Sequence, residues 1–279
     1  DAVESRHVWG EDFPSFEDPD VANAVDFGAV PDDKLDDTSA IEKAFSSHDK
    51  VFLPKGVYIV TRTLTIPKDK HLFGAAKHLT VIRASGQWNP PAGTPVVATA
   101  DDLSSASSLS FLQIEAGAEQ RHTPLVWLAG RGSTVRDIMV DLSDLDTRRR
   151  KSGQGSAARR LDTYRIEGGG RWYGVAAPWE KLRSVSKERD YRHLRIQGTK
   201  EPLAIYGLNI ERSHSNPQSE IRNAENVSIY YLKGETLEHE NHSVLSIVDS
   251  RNVAVFGYSG NATPLGNSLI SLKGSEEIL

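Results

Sequence analysis

Two carboxylates first suggest chemistry: Glu211, at the end of LAIYGLNIE, and Glu235, at the end of NVSIYYLKGE, 24 residues further on. A pair of carboxyl groups held about 5–5.5 Å apart suits a retaining glycosidase, and about 6.5–9.5 Å an inverting one. Like charges at such distances push one titration upward, as a general acid requires. The pair can do this only where the backbone brings both residues to one flank; otherwise they are two solvated surface glutamates. Strand parity turns Glu211 outward with Asn209, whereas Gly234 interrupts the alternation before Glu235.

Other constellations surround the pair. Ser213, His214 and Gln218 follow Glu211 closely and could orient a water. GGGRWYG (168–174) and the following PW offer Trp172, Tyr173 and Trp179 as aromatic faces for a sugar ring, or else a loop packed over the core. LEHENH gathers Glu238, His239, Glu240 and His242, which could hold a divalent ion but equally form a solvated corner, so no metal is assigned. TRRRKSGQGSAARR (147–160) reads as a mobile basic loop. There is no Walker motif, no GxSxG elbow and no HExxH, and no cofactor is expected.

Composition narrows the classes. With no cysteine among 279 residues, disulfides, thiolate zinc sites and cysteine nucleophiles are excluded. A net charge of -5 with mixed signs argues against a general nucleic-acid binder. No run of about 18 apolar residues exists to span a membrane, and no apolar segment opens the sequence, as expected where a signal peptide is removed or was never present. Three sequons, at Asn226, Asn241 and Asn261, carry little weight.

The elements that must position these residues are mostly strands. Past residue 48 the sequence runs in short alternating segments such as KVFLPKGVYIV, TPVVATA, NVSIYYL and NVAVFGY, bounded by Gly, Asn, Asp and Ser. Residues 217–234 align with 243–260 at an offset of 26, matching Ile221 to Ile247, Asn226 to Asn252, Val227 to Val253, Ile229 to Val255 and Gly234 to Gly260. A period in the twenties with no partner helix predicts a β-solenoid, with a sandwich or barrel as the rival. On that reading, residues 24 apart lie about one coil apart. One amphipathic helix, about 38–47, carries Ile41, Ala44 and Phe45 on one face and covers the first coil's open edge. Thr38 or Ser39 is its expected N-cap, with Ser39 and Glu42 forming a capping box. The aspartates of PDDKLDD are read as turn and helix-start residues.

The segment VDFGAVPDDKLDDTSAIEKAF, continued by KVFLPKGVYIVTRTLTIPKDKHLFGAAKHLTVI, resembles the N-terminal signature of the pectate-lyase-like superfamily. It implies an all-β, single-stranded right-handed parallel β-helix over 23–279, with residues 1–22 as an N-terminal extension. Residues 203–262 are similar to the C-terminal β-helix of glycoside hydrolase family 55, the β-1,3-glucanases. That resemblance implies inverting hydrolysis of a polysaccharide, with Glu235 as general acid and Glu211 helping to position the attacking water. TLEHEN departs from the Pro- and Tyr-rich segment expected after the acid, and the paired-aspartate and Gly-His-Gly pattern of polygalacturonases is missing. The alternatives are a lyase acting on a uronate polymer and a non-catalytic carbohydrate-binding or spike-like solenoid. The expected partner is a polysaccharide, not nucleic acid or membrane, met in a secreted or periplasmic setting. The glucanase family builds its cleft between two tandem β-helices, so either a second subunit or the loop near 145–180 is expected to supply the other wall, or the protein is expected to bind glycan and hydrolyse it poorly.

Overall fold

A computed structural model describes residues 14–116, 122–141, 162–177, 191–211, 213, 215–235, 241–261 and 266–279. Its strands pair in parallel, each with the equivalent strand of the next coil. They form an eight-stranded sheet and a fourteen-stranded sheet that wraps the remaining sides. The molecule is a right-handed parallel β-helix capped by one α-helix among the described residues.

One coil shows how the sequence makes the path. The strand Ser219–Arg222 lies in the eight-stranded sheet, and the chain then turns into the long strand Glu225–Lys233 of the other. Asn223 makes that turn at φ 50°, and Asp249 does the same one coil later at φ 47°. Asn and Asp tolerate this left-handed conformation better than other side chains. Further along the long strands another left-handed residue bends the chain from one face to the next: Gly207 at φ 74°, Tyr231 at φ 69° and Gly257 at φ 77°. The register aligns these three across successive coils.

The 26-residue repeat is one turn of the solenoid. Ile221 pairs with Ile247, Val227 with Val253 and Ile229 with Val255. All but Val255 are wholly buried, so each coil completes its core only against its neighbours. Asn252 donates from Nδ2 to Asn226 Oδ1 at 2.7 Å, and Asn226 donates to Lys200 O at 3.0 Å. The Asn226 sequon is thus part of a side-chain ladder.

The cap is the helix Thr38–Ser47, which buries Thr38, Ile41, Ala44 and Phe45. Its N-terminus differs from the expectation. The N-cap is Asp37, which puts Ser39 inside the helix where it cannot form a capping box with Glu42; both side chains bond Arg62 instead. Two of the aspartates act as expected, Asp33 accepting from Leu35 N at 2.7 Å in the turn and Asp36 from Thr38 N at 3.0 Å at the helix start. The other two clamp distant backbone: Asp37 accepts from Val30 N at 2.8 Å and Ile59 N at 2.9 Å, and Asp32 from Val57 N at 3.0 Å. Among the described residues parallel pairing begins at Val21, where Val21–Asn23 lies against Lys50–Phe52.

Candidate functional site

The two glutamates occupy equivalent places on adjacent coils. Asn209 pairs with Lys233, and Ile210 N donates to Lys233 O at 2.9 Å, which continues the register to Glu211 and Glu235. Successive rungs of a parallel sheet lie about 4.8 Å apart. Gly234 permits the tight corner before Glu235: a Cβ there would stand 2.4 Å from Val244 Cγ1.

Glu211 is held firmly. Lys233 Nζ lies 2.8 Å from its Oε1, and Asn209 Nδ2 donates to its Oε2 at 3.1 Å. Its side chain is only 10% exposed, against 40% for Lys233. The bond to Glu211 raises the Lys233 ammonium above its ordinary pKa, so the lysine stays charged. Glu235 is half-buried. Tyr258 packs beside the pair with its hydroxyl bonded to Gly234 O. Burial, and then the charges of Glu235 and Glu211, push this phenol up to about 12. Lys233 and Tyr258 escape a sequence reading because each looks like an ordinary strand residue.

The residues expected to line the site divide. Ser213 and Gln218 are fully buried and cannot meet a ligand on the surface. Ser213 bonds Ser215 Oγ at 2.6 Å, while Gln218 Nε2 donates to Glu235 O at 2.8 Å and to Ser213 O at 3.3 Å. Trp172 is not a platform: it is a core residue, edge-on to Trp127 at 5.6 Å between centroids. Tyr173 does lie on the outer face, but Tyr206 covers one side of its ring at 4.8 Å, beginning a stack continued by Tyr230 and Phe256. His214, Trp179, Glu238, His239, Glu240 and the basic loop 147–160 lie outside the described residues. Among the described residues no three potential ligands converge on a metal position.

A second charged group stands on the outer face of the eight-stranded sheet. Arg195 donates to Asp162 Oδ1 at 2.7 Å and to Glu220 Oε2 at 3.0 Å, and Arg222 donates from Nη2 to Glu220 Oε1 at 2.9 Å. Both acids are nearly inaccessible. Burial raises the Asp162 carboxyl despite its arginine neighbours. For Glu220, burial is outweighed by the Arg222 hydrogen bond and the surrounding arginine charges, and its carboxyl is lowered.

Residues 21–151 match the family model described as rhamnogalacturonase A/epimerase, pectate lyase-like. Over that span, just under half of the chain, the sequence is similar to pectate-lyase-like proteins. Among solved structures, the gp42 tailspike of Acinetobacter phage vb_AbaP_AS12 is similar with a TM-score of 0.66 at 11% identity, covering 94% of this chain and 46% of that one. The pre-mature gene product 12 of bacteriophage phi29 gives 0.62 at 14% identity, covering 86% and 32%. The enzymatically active domain of bacteriophage CBA120 tailspike protein 2 gives 0.61 at 13% identity, covering 94% and 43%. At these identities the likeness is one of fold, and the chain spans less than half the length of these structures. No curated protein matches the sequence. The glutamate pair lies beyond the span of the family match, and its likeness to the glucanases rests on the sequence alone.

Proposed function

We propose that this β-helix is a polysaccharide-active enzyme that hydrolyses glycosidic bonds with inversion, on a β-glucan-like substrate. The observation that carries the hydrolase reading is the register that sets Glu211 and Glu235 opposite one another on adjacent coils, with Lys233 on Glu211. With lateral stagger this offset reaches either the retaining or the inverting separation, and inversion is taken from the glucanase resemblance of residues 203–262. An ion-paired carboxylate is suited to accept a proton from water, and the half-buried Glu235 to donate one to the leaving oxygen. The general acid loses its proton as the glycosidic oxygen gains one; water attacks the anomeric carbon from the opposite face, and Glu211 takes the water's proton. Action on a polysaccharide is supported by the matched rhamnogalacturonase A/epimerase family and by the fold shared with the enzymatically active CBA120 tailspike domain. The residues 203–262 supply the glucan preference through their glucanase resemblance.

The lyase reading draws on the same pectate-lyase-like family. Elimination from a uronate needs a base, and among the described residues the candidates beside the glutamates, Lys233 and Tyr258, both hold their protons more tightly than usual. This favours hydrolysis. Digestion of a glycan panel, read by mass spectrometry and ultraviolet absorbance, tests the proposal. New reducing ends without absorbance support it. An unsaturated product selects the lyase, and no product at all selects a binding or spike-like solenoid.

A further inference from the structure

The two glutamates are also tied from inside the coil, by a second pair of equivalent residues. His193 and Gln218 lie on successive rungs of the eight-stranded sheet: Arg195 pairs with Glu220, and His193 N donates to Gln218 O at 2.8 Å. Both side chains are wholly buried. His193 Nε2 reaches Glu211 O at 3.0 Å, and Gln218 Nε2 reaches Glu235 O at 2.8 Å. Each long buried donor therefore pins the peptide carbonyl of one glutamate. The next rung provides an internal contrast. There Val244 stands in the place of Gln218 and Asn261 in that of Glu235, and the buried valine side chain carries no hydrogen-bond donor.

The direction of the bonds around His193 follows from its partners. A carbonyl oxygen only accepts, so Nε2 carries the hydrogen. The Nδ1 of a neutral ring must then accept from Tyr191 OH at 2.7 Å, and Tyr191 in turn accepts from Thr163 Oγ1 at 2.6 Å. Burial lowers this imidazole to about 4, which keeps the ring neutral and the chain of donors pointing toward Glu211.

We propose that His193 and Gln218 are positioning residues that fix the separation of the Glu211 and Glu235 carboxyl groups by anchoring the backbone at each. The inference rests on the hydrolase reading for its purpose but not for its test. Gln218 shows that a glutamine can make the same bond, so His193→Gln is the conservative variant and His193→Leu the disruptive one.

The test combines carboxyl ¹³C resonances of labelled glutamate, followed through pH, with steady-state rates on a soluble β-1,3-glucan. His193→Leu is expected to displace the Glu211 carboxyl resonance, and Gln218→Leu that of Glu235. His193→Gln returns Glu211 to its wild-type behaviour. Each leucine variant lowers kcat by about 10-fold or more while KM moves by less than about 3-fold, since misplacement of roughly an ångström is enough to slow chemistry strongly. Unmoved resonances in both leucine variants would overturn the proposal, as would a His193→Gln protein displaced as far as His193→Leu. Where His193→Leu does not fold, His193→Gln and Gln218→Leu decide by the same criteria. A wild-type protein that cleaves no glycan removes the hydrolase reading, and the resonances still decide the positioning.

Discussion

Val227 lies directly opposite Val253 on the next coil, and neither side chain reaches solvent. Val227→Asp places a carboxylate where no partner stands. The expected cost is about 3 kcal/mol or more, read as a loss of the urea midpoint or of soluble protein. A variant as stable as wild type would contradict a shared inner column.

Glu235→Gln keeps the shape of the side chain but removes the donated proton. Turnover on a cleaved glycan is expected to fall by about 10²–10⁴, with binding retained. Glu211→Gln is expected to be comparably severe. The proposed mechanism uses carboxylates alone, so EDTA is expected to leave the rate unchanged. Full activity in the Glu235 variant, or loss with chelator, would move the chemistry elsewhere.

Lys233 gives Glu211 its counter-charge at 2.8 Å. Lys233→Met is expected to lower kcat by about 10-fold, a modest loss beside that of a full oxyanion-hole donor, whereas Lys233→Arg retains most of the rate. The lysine's pKa is raised in the folded state. Its contribution to stability is therefore complete below the unfolded lysine value and is lost only as pH rises through the folded one. Initial rates and thermal melts between neutral and strongly alkaline pH check both halves.

Arg195 serves two buried acids, so Arg195→Met leaves Asp162 and Glu220 without a shared partner. The expected loss is about 3–5 kcal/mol at neutral pH. In the wild type the two acids act with opposite signs. Glu220 is lowered, so its stabilisation is present above the unfolded glutamate value and fades as pH falls through its folded one. Asp162 is raised, so it opposes folding above its folded value, and acidification relieves that opposition. The gap between variant and wild type is expected to narrow on acidification, as both carboxyl groups protonate. Urea unfolding across pH measures this directly.

The solenoid was legible because its signal repeats. Matched apolar residues such as Ile221 and Ile247 recur every coil, and the capping helix shows its own apolar face. The site was legible only in part. Glu211 follows strand parity, but the role of Lys233 depends on which rung it faces, and that is a register rather than a local pattern. Trp172 misled because an aromatic beside glycines reads the same whether it points inward or outward. Tyr231 turns at φ 69° where its register partners are Gly207 and Gly257, so the sequence carries no mark of the bend there. Glu211 owes part of its shelter to its own solenoid, since Lys233 and Asn209 bond its two carboxylate oxygens.

The offset of 26 residues between Val227 and Val253 has a mechanical consequence. Each coil is zipped to the next along its strands, so tension applied at the C-terminus meets one rung at a time. A peeled coil of that length releases at most about 85–95 Å of extended chain. Pulled in an optical trap from that end, the C-terminal coils should give a staircase of ruptures with a nearly constant step. The N-terminal rungs, clamped by Asp37 and covered by the helix Thr38–Ser47, should be the last to yield.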